Sequence, residues 1–322
     1  MNPQAHSVWL HRFAWITAAL TLLLPVTTGA IVTTLKAGMV FSDWPTSEGY
    51  FILNYPWLSS ARDQFIEHGH RLSGMTIGLV TMCLVVAALC LDRRPLVRKL
   101  AIGIFAAVFA QGMLGGARVL LDEQLLALLH GDFAALVLSL MAILVVVTGR
   151  NRDDGIRSSL DADFRAVSKS AVVLLLTLIA QYVMGGLLRH LRERDGFGWA
   201  WMVHPWFAVV VLLATAWFGF DAYRTPSPTL HRYANALIGL AVAQSLVGLA
   251  TWYVRYGIPS WGVIAQQNSV PQIVICSMHK VVGMLTLVTG VLAVVVSRPT
   301  QSVTPDRQIA TDGHSSIMGA AT

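Results

Sequence analysis

The chain has 322 residues, of which 55% are hydrophobic and only 12% are charged. Soluble domains usually contain about 25% charged residues, so this composition excludes an ordinary soluble globular protein. The formal net charge of +6 does not indicate nucleic-acid binding, because the distribution of the basic residues explains it in another way.

Eight apolar runs follow one another along the chain. Each is close to the ~20 residues that a helix needs to cross the hydrocarbon core, whereas barrel strands would be ~10 residues long and alternating. The first run is too long for the apolar region of a signal peptide. The sequence therefore predicts an all-α polytopic membrane protein with eight transmembrane helices. The runs are residues 14–35, 72–91, 100–117, 125–148, 171–188, 199–220, 234–254 and 273–296.

Basic residues are distributed unevenly between the two sides of the predicted membrane. Of the 23 Lys and Arg residues, fourteen fall on the side that holds both termini and nine on the other side. Cytoplasmic segments are enriched in Lys and Arg, so both termini are predicted to be cytoplasmic. Residues 299–322 are polar and are expected to form a disordered tail.

The spans divide into two groups of four at the longest inner loop, residues 149–168. An even number of spans in each group gives both groups the same orientation, as in parallel repeats. We therefore predict two pseudo-symmetric four-helix bundles, residues 1–150 and 151–298. The similar stretches are QGMLGGARVLL (111–121) with QSLVGLATWYV (244–254), and TGAIVTTLKAG (28–38) with MGGLLRHLRER (184–194).

Four of the ten histidines lie at the outer ends of the even-numbered spans, and each is followed four residues later by Gly or Ala. Residues i and i+4 share a helix face, so a flat macrocycle would find clearance beside each imidazole. Two histidines in each four-helix half are typical of a bis-imidazole haem in a bundle. An interhelical hydrogen bond would explain any one of them alone; the fourfold recurrence favours haem. The histidines are His70, His130, His204 and His279, followed by Gly74, Ala134, Ala208 and Gly283.

Four basic residues lie close to these histidines. Arg71 and Lys280 directly follow two of them, and Arg118 and Arg189 end spans three and five. By charge they suit the propionates of a tetrapyrrole. Ordinary snorkelling of long basic side chains to the membrane interface is the alternative for each.

The two halves differ at one acidic residue. Glu67 lies three residues before His70 and so on the same helix face, whereas Trp201 holds the matching position before His204. A carboxylate there could move protons or stabilise a developing cation; alternatively, it complements the helix dipole. His68 faces away from His70 and has no assigned role. The long loop 36–66, which contains SDWPTSEGYFILNYPW (42–57), is predicted to cap the first half.

These motifs together resemble the haem A synthases, membrane enzymes that convert haem O to haem A for terminal oxidases. The resemblance covers all eight predicted helices. It is carried by TGAIVTTLKAGMVFSDWP (28–45), EHGHR-x2-G (67–74), Q-x2-LGG (111–116), QYVMGG (181–186), His130, His204 and His279.

The resemblance implies a division of labour between the halves. His204 and His279 would hold a haem b cofactor, and His70 and His130 would bind the haem O substrate. Glu67 would be essential to oxidation of the C8 methyl group to a formyl group by way of an alcohol. The implied location is the cell (inner) membrane, with haem sites near the outer leaflet. Haem O synthase, cytochrome oxidase assembly factors, membrane lipid and a second copy of the chain are the expected partners, and no nucleic acid is expected.

Two features depart from the family pattern. Thr33 stands where many members have Arg, and the first outer loop lacks the cysteine pair of some bacterial members. The three cysteines, at positions 83, 90 and 276, have no zinc or redox spacing. Neither departure affects Glu67 or the four histidines.

Two other functions are consistent with parts of the pattern. A di-haem electron-transfer cytochrome would need similar halves, which Glu67 and the long first loop contradict. A repeat transporter would place interrupted spans and ionisable groups near the midplane, whereas the polar groups here cluster at the outer ends of the spans.

Overall fold

The computed structural model describes residues 3–149, 162–191, 196 and 198–298. Within these residues there are nine α-helices and no strand, and eight spans are long and apolar enough to cross a membrane. The prediction of an all-helical, eight-span protein is confirmed. The predicted tail and the boundary between the two halves lie outside the described residues. The helices are α1 (Pro3–Thr21), α2 (Thr27–Leu35), α3 (Arg62–Leu91), α4 (Pro95–Leu121), α5 (Gln124–Thr148), α6 (Ala162–His190), α7 (Ala200–Arg224), α8 (Pro228–Tyr256) and α9 (Val270–Ser297).

Several helices continue beyond the apolar runs. Helix α3 begins at Arg62, ten residues before the apolar run at 72–91, and therefore includes Glu67 and His70. Its start is capped locally, since the Gln64 side chain accepts a hydrogen bond from the Ala61 backbone N–H at 3.2 Å. Hydropathy identifies only the lipid-embedded part of a helix, so the polar turns at its ends are missed.

The first span is a single helical path interrupted by a π-helical turn. Residues Leu22–Val26 form this turn between α1 and α2, and it contains Pro25. Proline has no backbone N–H and disrupts the regular helical ladder. The Thr27 and Thr28 hydroxyls donate to the carbonyls of Leu22 and Leu24, at 2.8 and 2.7 Å. Such turns are frequent at functional sites, and this one precedes the first glycine that packs against a histidine.

The helices pack as two rings of four spans. Helices α1, α3, α4 and α5 contact one another in a ring, and so do α6, α7, α8 and α9. The rings meet where α2 and α5 contact α9 and where α5 contacts α6. Lipid gives helices no hydrophobic reason to associate, so close approach of small residues matters; Ala88, Ala101, Ala222 and Ala234 are fully buried. The pseudo-symmetry of the rings and the cytoplasmic termini stay predictions.

Candidate functional site: two pairs of histidines

The four selected histidines form two pairs with nearly the same geometry. His70 of α3 faces His130 of α5, with ring centroids 6.2 Å apart and an interplanar angle of 87°. His204 of α7 faces His279 of α9, also at 6.2 Å, with an angle of 89°. The structure thus brings together the residues that the sequence grouped within each half.

Each imidazole lies against a glycine of a neighbouring helix. A Cβ atom built on any of these glycines would stand 2.9–3.1 Å from Cε1 of the facing histidine. Any larger residue would therefore displace the ring, so glycine is required by close approach. The pairs are Gly29 with His70, Gly115 with His130, Gly185 with His204, and Gly248 with His279.

Sequence reasoning did not identify these four glycines, although the signal was present. They lie inside the repeated stretches, and three of them follow a glutamine by four residues: Gln111, Gln181 and Gln244. Two of those glutamines fix the helix that carries the facing histidine. Gln111 Nε2 donates to the His130 carbonyl at 2.9 Å, and Gln181 Nε2 donates to the His204 carbonyl at 3.0 Å.

The paired imidazoles fit the two axial positions of a haem. A metal–imidazole bond is about 2 Å long, so two such bonds and two half-rings account for the observed centroid separations of 6.2 Å. The Nδ1 atoms of His130, His204 and His279 are buried without a hydrogen-bond partner in the described part of the chain. The imidazoles are thus held in facing pairs, and three of them have a nitrogen without a hydrogen-bond partner among the described residues. This arrangement suits a metal ion that is held in a macrocycle and bound by one imidazole on each side.

The predicted clearance beside the histidines is present at Gly74 and absent at Gly283. Nothing lies within 4 Å of a Cβ built on Gly74, whereas at Gly283 that atom would be 2.8 Å from Gln244 Nε2. Of the two glycines that follow a histidine by four residues, one therefore faces open space and the other faces a side chain.

The first pair lies in a cavity of about 440 Å³. Helices α3, α4 and α5 contribute most of its wall, with His70, Gln111 and His130 among the lining residues. Trp44 and Phe51 of the first outer loop also line it. The loop therefore lies against the mouth of this cavity, as the sequence predicted.

Glu67 is buried at the boundary between this cavity and the loop, with only 3% of its surface exposed. Its Oε2 accepts a hydrogen bond from the Val40 backbone N–H at 2.7 Å, and its Oε1 accepts one from Arg71 Nη2 at 2.8 Å. The carboxylate is therefore fixed in position by partners on both oxygens while it lines the same cavity as His70.

Arg71 organises the loop as well as Glu67. Its Nη1 donates to the carbonyls of Asp43 and Thr46 at 2.8 and 2.7 Å, and its guanidinium lies over the Phe41 ring at 4.9 Å. Most of its donors are thus already engaged within the protein. A propionate contact at Arg71 stays a prediction, and its observed contacts are structural.

The loop is shaped by Asp43 and its neighbours. The Asp43 carboxylate accepts backbone hydrogen bonds from Glu48 and Gly49 at 3.0 and 2.9 Å. Burial acts to raise the pKa of Asp43, but these backbone hydrogen bonds and one with Thr46 outweigh it and hold the pKa below its usual value. Trp44 packs on Gly116 of α4, where any side chain would collide with the indole.

His68, which sequence reasoning left without a role, belongs to the loop and not to the cavity. It is 1% exposed, its Nδ1 is 3.1 Å from Ser47 Oγ, and its ring lies 4.8 Å from that of Tyr55. It therefore holds the loop down on the outer end of α3.

Two of the other predicted basic residues bind backbone near the junction of the halves. Arg118 Nη2 donates to the Gly38 carbonyl at 2.8 Å. Arg189 Nη2 donates to the Ala30 carbonyl and the Thr34 hydroxyl at 3.1 and 2.8 Å. The Nε atoms of both arginines are buried without a partner among the described residues, so each has a donor that a ligand could use.

Lys280 extends toward the first site although it follows a histidine of the second. It lines the first-half cavity, as does His190 of α6. The Lys280 ammonium and the His190 imidazole both approach Gly131, with Nζ and Nε2 3.6 and 3.7 Å from a Cβ built there. Sequence reasoning missed His190, because its place beside Gly131 depends on how the two rings of helices meet.

The second pair has aromatic surroundings at the position that corresponds to Glu67. Trp201 lies 4.8 Å from Trp252 and 6.4 Å from Tyr256 by ring centroids. The first half thus has Glu67 and the outer loop beside its histidine pair, whereas the second half has the aromatic cluster around Trp201.

The spans and these sites define a multi-pass membrane protein with two paired-histidine sites, and among the described residues Glu67 is an acidic side chain beside the first pair. Residues 58–202 match the cytochrome oxidase assembly protein family. This region includes Glu67, His70 and His130 and ends before His204.

Two curated relatives are similar over part of the chain, and both are named heme A synthase. The relative from Symbiobacterium thermophilum is 30% identical over 132 residues, which are 40% of this chain and 42% of the relative. The relative from Allorhizobium ampelinum is 30% identical over 136 residues, which are 40% of this chain and 37% of the relative. The resemblance to the haem A synthase family is confirmed over these regions, and the chain spans about two fifths of the length of each relative.

Proposed function

We propose that this protein is a haem A synthase that oxidises the C8 methyl group of haem O to a formyl group through an alcohol. The observation that carries this proposal is Glu67, a buried carboxylate that lines the cavity of the first histidine pair. The family match and the names of the relatives support the same function.

In this proposal the first half binds the substrate. His70 and His130 would be the axial ligands of haem O, whose flat ring needs the open space beside Gly74. The cavity is also lined by Arg71, Arg118 and Lys280, which supply positive charge for the two propionates. Of these, Lys280 has no competing hydrogen bond among the described residues.

Glu67 would act on the protons of the reacting substituent. With water as the source of the oxygen atom, conversion of the methyl group to an alcohol releases two electrons and two protons, and conversion of the alcohol to an aldehyde releases two more of each. The electrons would leave one at a time through the haem of the second half. A fixed carboxylate next to that carbon can accept a proton or stabilise positive charge as it develops. The hydrogen bonds from the Val40 N–H and from Arg71 hold this carboxylate in position at the cavity wall.

The second half would hold the cofactor. We propose haem b as the group bound by His204 and His279, where it would supply one-electron redox chemistry. Gln181 and Gly185 support this pair by fixing the His204 backbone and giving its ring room. Arg189 lies between the two halves, where it is placed for a propionate of either haem.

The proposal includes the arrangement of the chain in the membrane. Residues 1–150 and 151–298 would be pseudo-symmetric halves, with both termini cytoplasmic and the histidine pairs near the outer leaflet. The closed ring that each set of four spans forms and the near-equal geometry of the two pairs support this arrangement.

A di-haem electron-transfer cytochrome is the second candidate, favoured by the near-identical geometry of the two pairs. Expression of the chain in a membrane that contains haem O, followed by extraction and chromatography of the haems, separates the two functions. Haem A or its alcohol precursor is expected from the enzyme. Bound haem that is chemically unchanged would reject the synthase and favour the cytochrome.

A further inference from the structure

The seam between α3 and α4 differs from the rest of the cavity wall because it is lined by glycine. Gly74 and Gly78 of α3 and Gly112 of α4 all line the cavity of the first histidine pair. No other part of the described chain lies within 4 Å of a Cβ built on any of the three. Gly74 and Gly112 are also exposed on the surface of the molecule. The cavity therefore extends between two helices to the face that lipid would cover.

Helix packing within the described part of the chain does not explain these glycines. Gly74 and Gly78 form a small-xxx-small pattern, which in membrane helices usually marks close approach of a second helix. Among the described residues, no other helix comes within 4 Å of a Cβ built on Gly74 or Gly78, and both residues line the cavity with His70. Glycine is poorly suited to helix interiors, so three such residues on facing helices require another reason.

The second half lacks this opening at the corresponding positions. Counting from His204 as from His70 places Ala208 and Leu212 where the first half has Gly74 and Gly78. Counting back from Gly248 as from Gly115 places Ser245 where the first half has Gly112. All three of these second-half residues have side chains, and all three are partly buried.

The shape and chemistry of the seam indicate what occupies it. Gly74 and Gly78 lie about 6 and 12 Å along the helix axis from His70, so the opening runs away from the outer end toward the membrane interior. Phe109 and Met113 of α4 flank it, with 64% and 46% of their surfaces exposed. The seam is thus long, apolar and continuous with the site for the macrocycle.

We propose that the seam is a lateral opening to the bilayer that holds the long isoprenoid substituent of the substrate haem, and that Gly74, Gly78 and Gly112 keep it open. The inference rests on the proposed function, since it assigns the apolar part of the same substrate. The opening would then determine how the first site distinguishes a haem that carries an isoprenoid chain from one that lacks it.

Binding of two haems tests this assignment. Haem O is titrated into the purified protein with its second site loaded, and so is iron protoporphyrin IX, which lacks the isoprenoid chain. The same titrations of His70→Ala give the background signal, which is subtracted. Wild type is expected to bind haem O more tightly. Gly78→Leu and Gly112→Leu are expected to weaken haem O binding about tenfold or more while protoporphyrin binding changes less than about twofold. Since both glycines face open space, the variants should fold.

Ser245→Leu, the matched change in the second half, is the control and should leave both affinities unchanged. Equal weakening of both haems by Gly78→Leu would overturn the assignment, because the glycines would then serve the macrocycle alone. Unchanged haem O affinity together with a changed oligomeric state would also overturn it, by making the seam a contact between two copies. If wild type shows no haem binding that depends on His70, the proposed function itself fails.

Discussion

The two halves of this molecule hold the same pair of imidazoles in different surroundings. Both pairs have ring centroids 6.2 Å apart and nearly perpendicular planes. The first pair adjoins a buried carboxylate, a structured loop and an open seam, whereas the second adjoins Trp201 and its aromatic neighbours. The same paired-imidazole geometry is thus present in both halves, while the side chains around it differ.

The comparison teaches that the ligand set alone does not distinguish a cofactor site from a substrate site. A resident cofactor gains from a closed, well-packed site, and Gln244 fills the space beside Gly283. A substrate must enter, react and leave, and Gly74 faces open space, whereas Ala208 at the corresponding position of the second half is partly buried.

The largest effect is expected from removing one ligand of the second pair. His204→Ala or His279→Ala should abolish the low-spin haem spectrum of the purified protein, because a bis-imidazole site loses half its axial ligands. His70→Ala should leave that spectrum in place. Absorption spectra of the reduced and oxidised protein provide the measurement.

His231→Ala is the control, because it removes an imidazole that belongs to neither histidine pair. The His231 Nε2 lies 2.9 Å from the Thr225 carbonyl oxygen. A haem spectrum that persists in His204→Ala and disappears in His70→Ala would mean that the roles of the two halves are reversed.

Glu67→Gln should reduce formation of haem A and its alcohol precursor by about 100-fold or more, the size of a lost general acid–base group. The amide can still accept from the Val40 N–H, so the loop and the bound haems should remain. Chromatography of extracted haems measures the products, and the absorption spectrum reports the bound haem.

Glu48→Gln is the matched control, because Glu48 is an exposed carboxylate of the same loop and outside the cavity lining. Turnover of Glu67→Gln within about threefold of wild type would remove the carboxylate from the chemistry and leave the two halves functionally alike.

Lys280→Met is expected to weaken haem O binding about tenfold while the haem of the second pair is retained. The ammonium lines the first cavity, and a hydrogen bond to a charged group contributes about 1.5–3 kcal/mol. Titration of haem O into the purified variant measures the change.

Lys280→Arg keeps the charge and should recover most of the affinity. Loss of the second haem with unchanged haem O affinity would instead assign Lys280 to the site of its neighbour His279.

Much of this organisation could be predicted from the sequence because it depends on local patterns. Hydropathy identified the eight spans, and the spacing of His70, His130, His204 and His279 grouped them correctly into pairs. Glu67 could be selected because a helix places residues three apart on one face.

What the sequence could not provide depends on contacts between distant segments. The direction of Lys280 toward the first cavity follows from where α9 meets α5, and no local pattern specifies that junction. His68 could not be assigned because its partners, Ser47 and Tyr55, lie in a loop whose path is not periodic. Three of the four glycines beside the histidines could have been selected from the sequence, because each follows a glutamine by four residues, but only the facing imidazole explains them.

The smallest effect is expected from substituting the glycines that contact the histidine rings. These glycines are a feature common to both halves. Gly248→Ala places a methyl group 3.0 Å from Cε1 of His279, so the ring must shift by a few tenths of an ångström. Overpacking of this kind costs about 1–3 kcal/mol, which is enough to change the spectrum of the second-site haem without releasing it. Gly115→Ala crowds His130 to the same extent and should leave that spectrum unchanged while altering the spectrum that appears on adding haem O. Gly239→Ala, on an open face of α8, controls for the helix itself. If Gly248→Ala and Gly115→Ala change the same spectral band, the two histidine pairs do not hold separate haems. The assignment of one half to the cofactor and the other to the substrate would then be wrong.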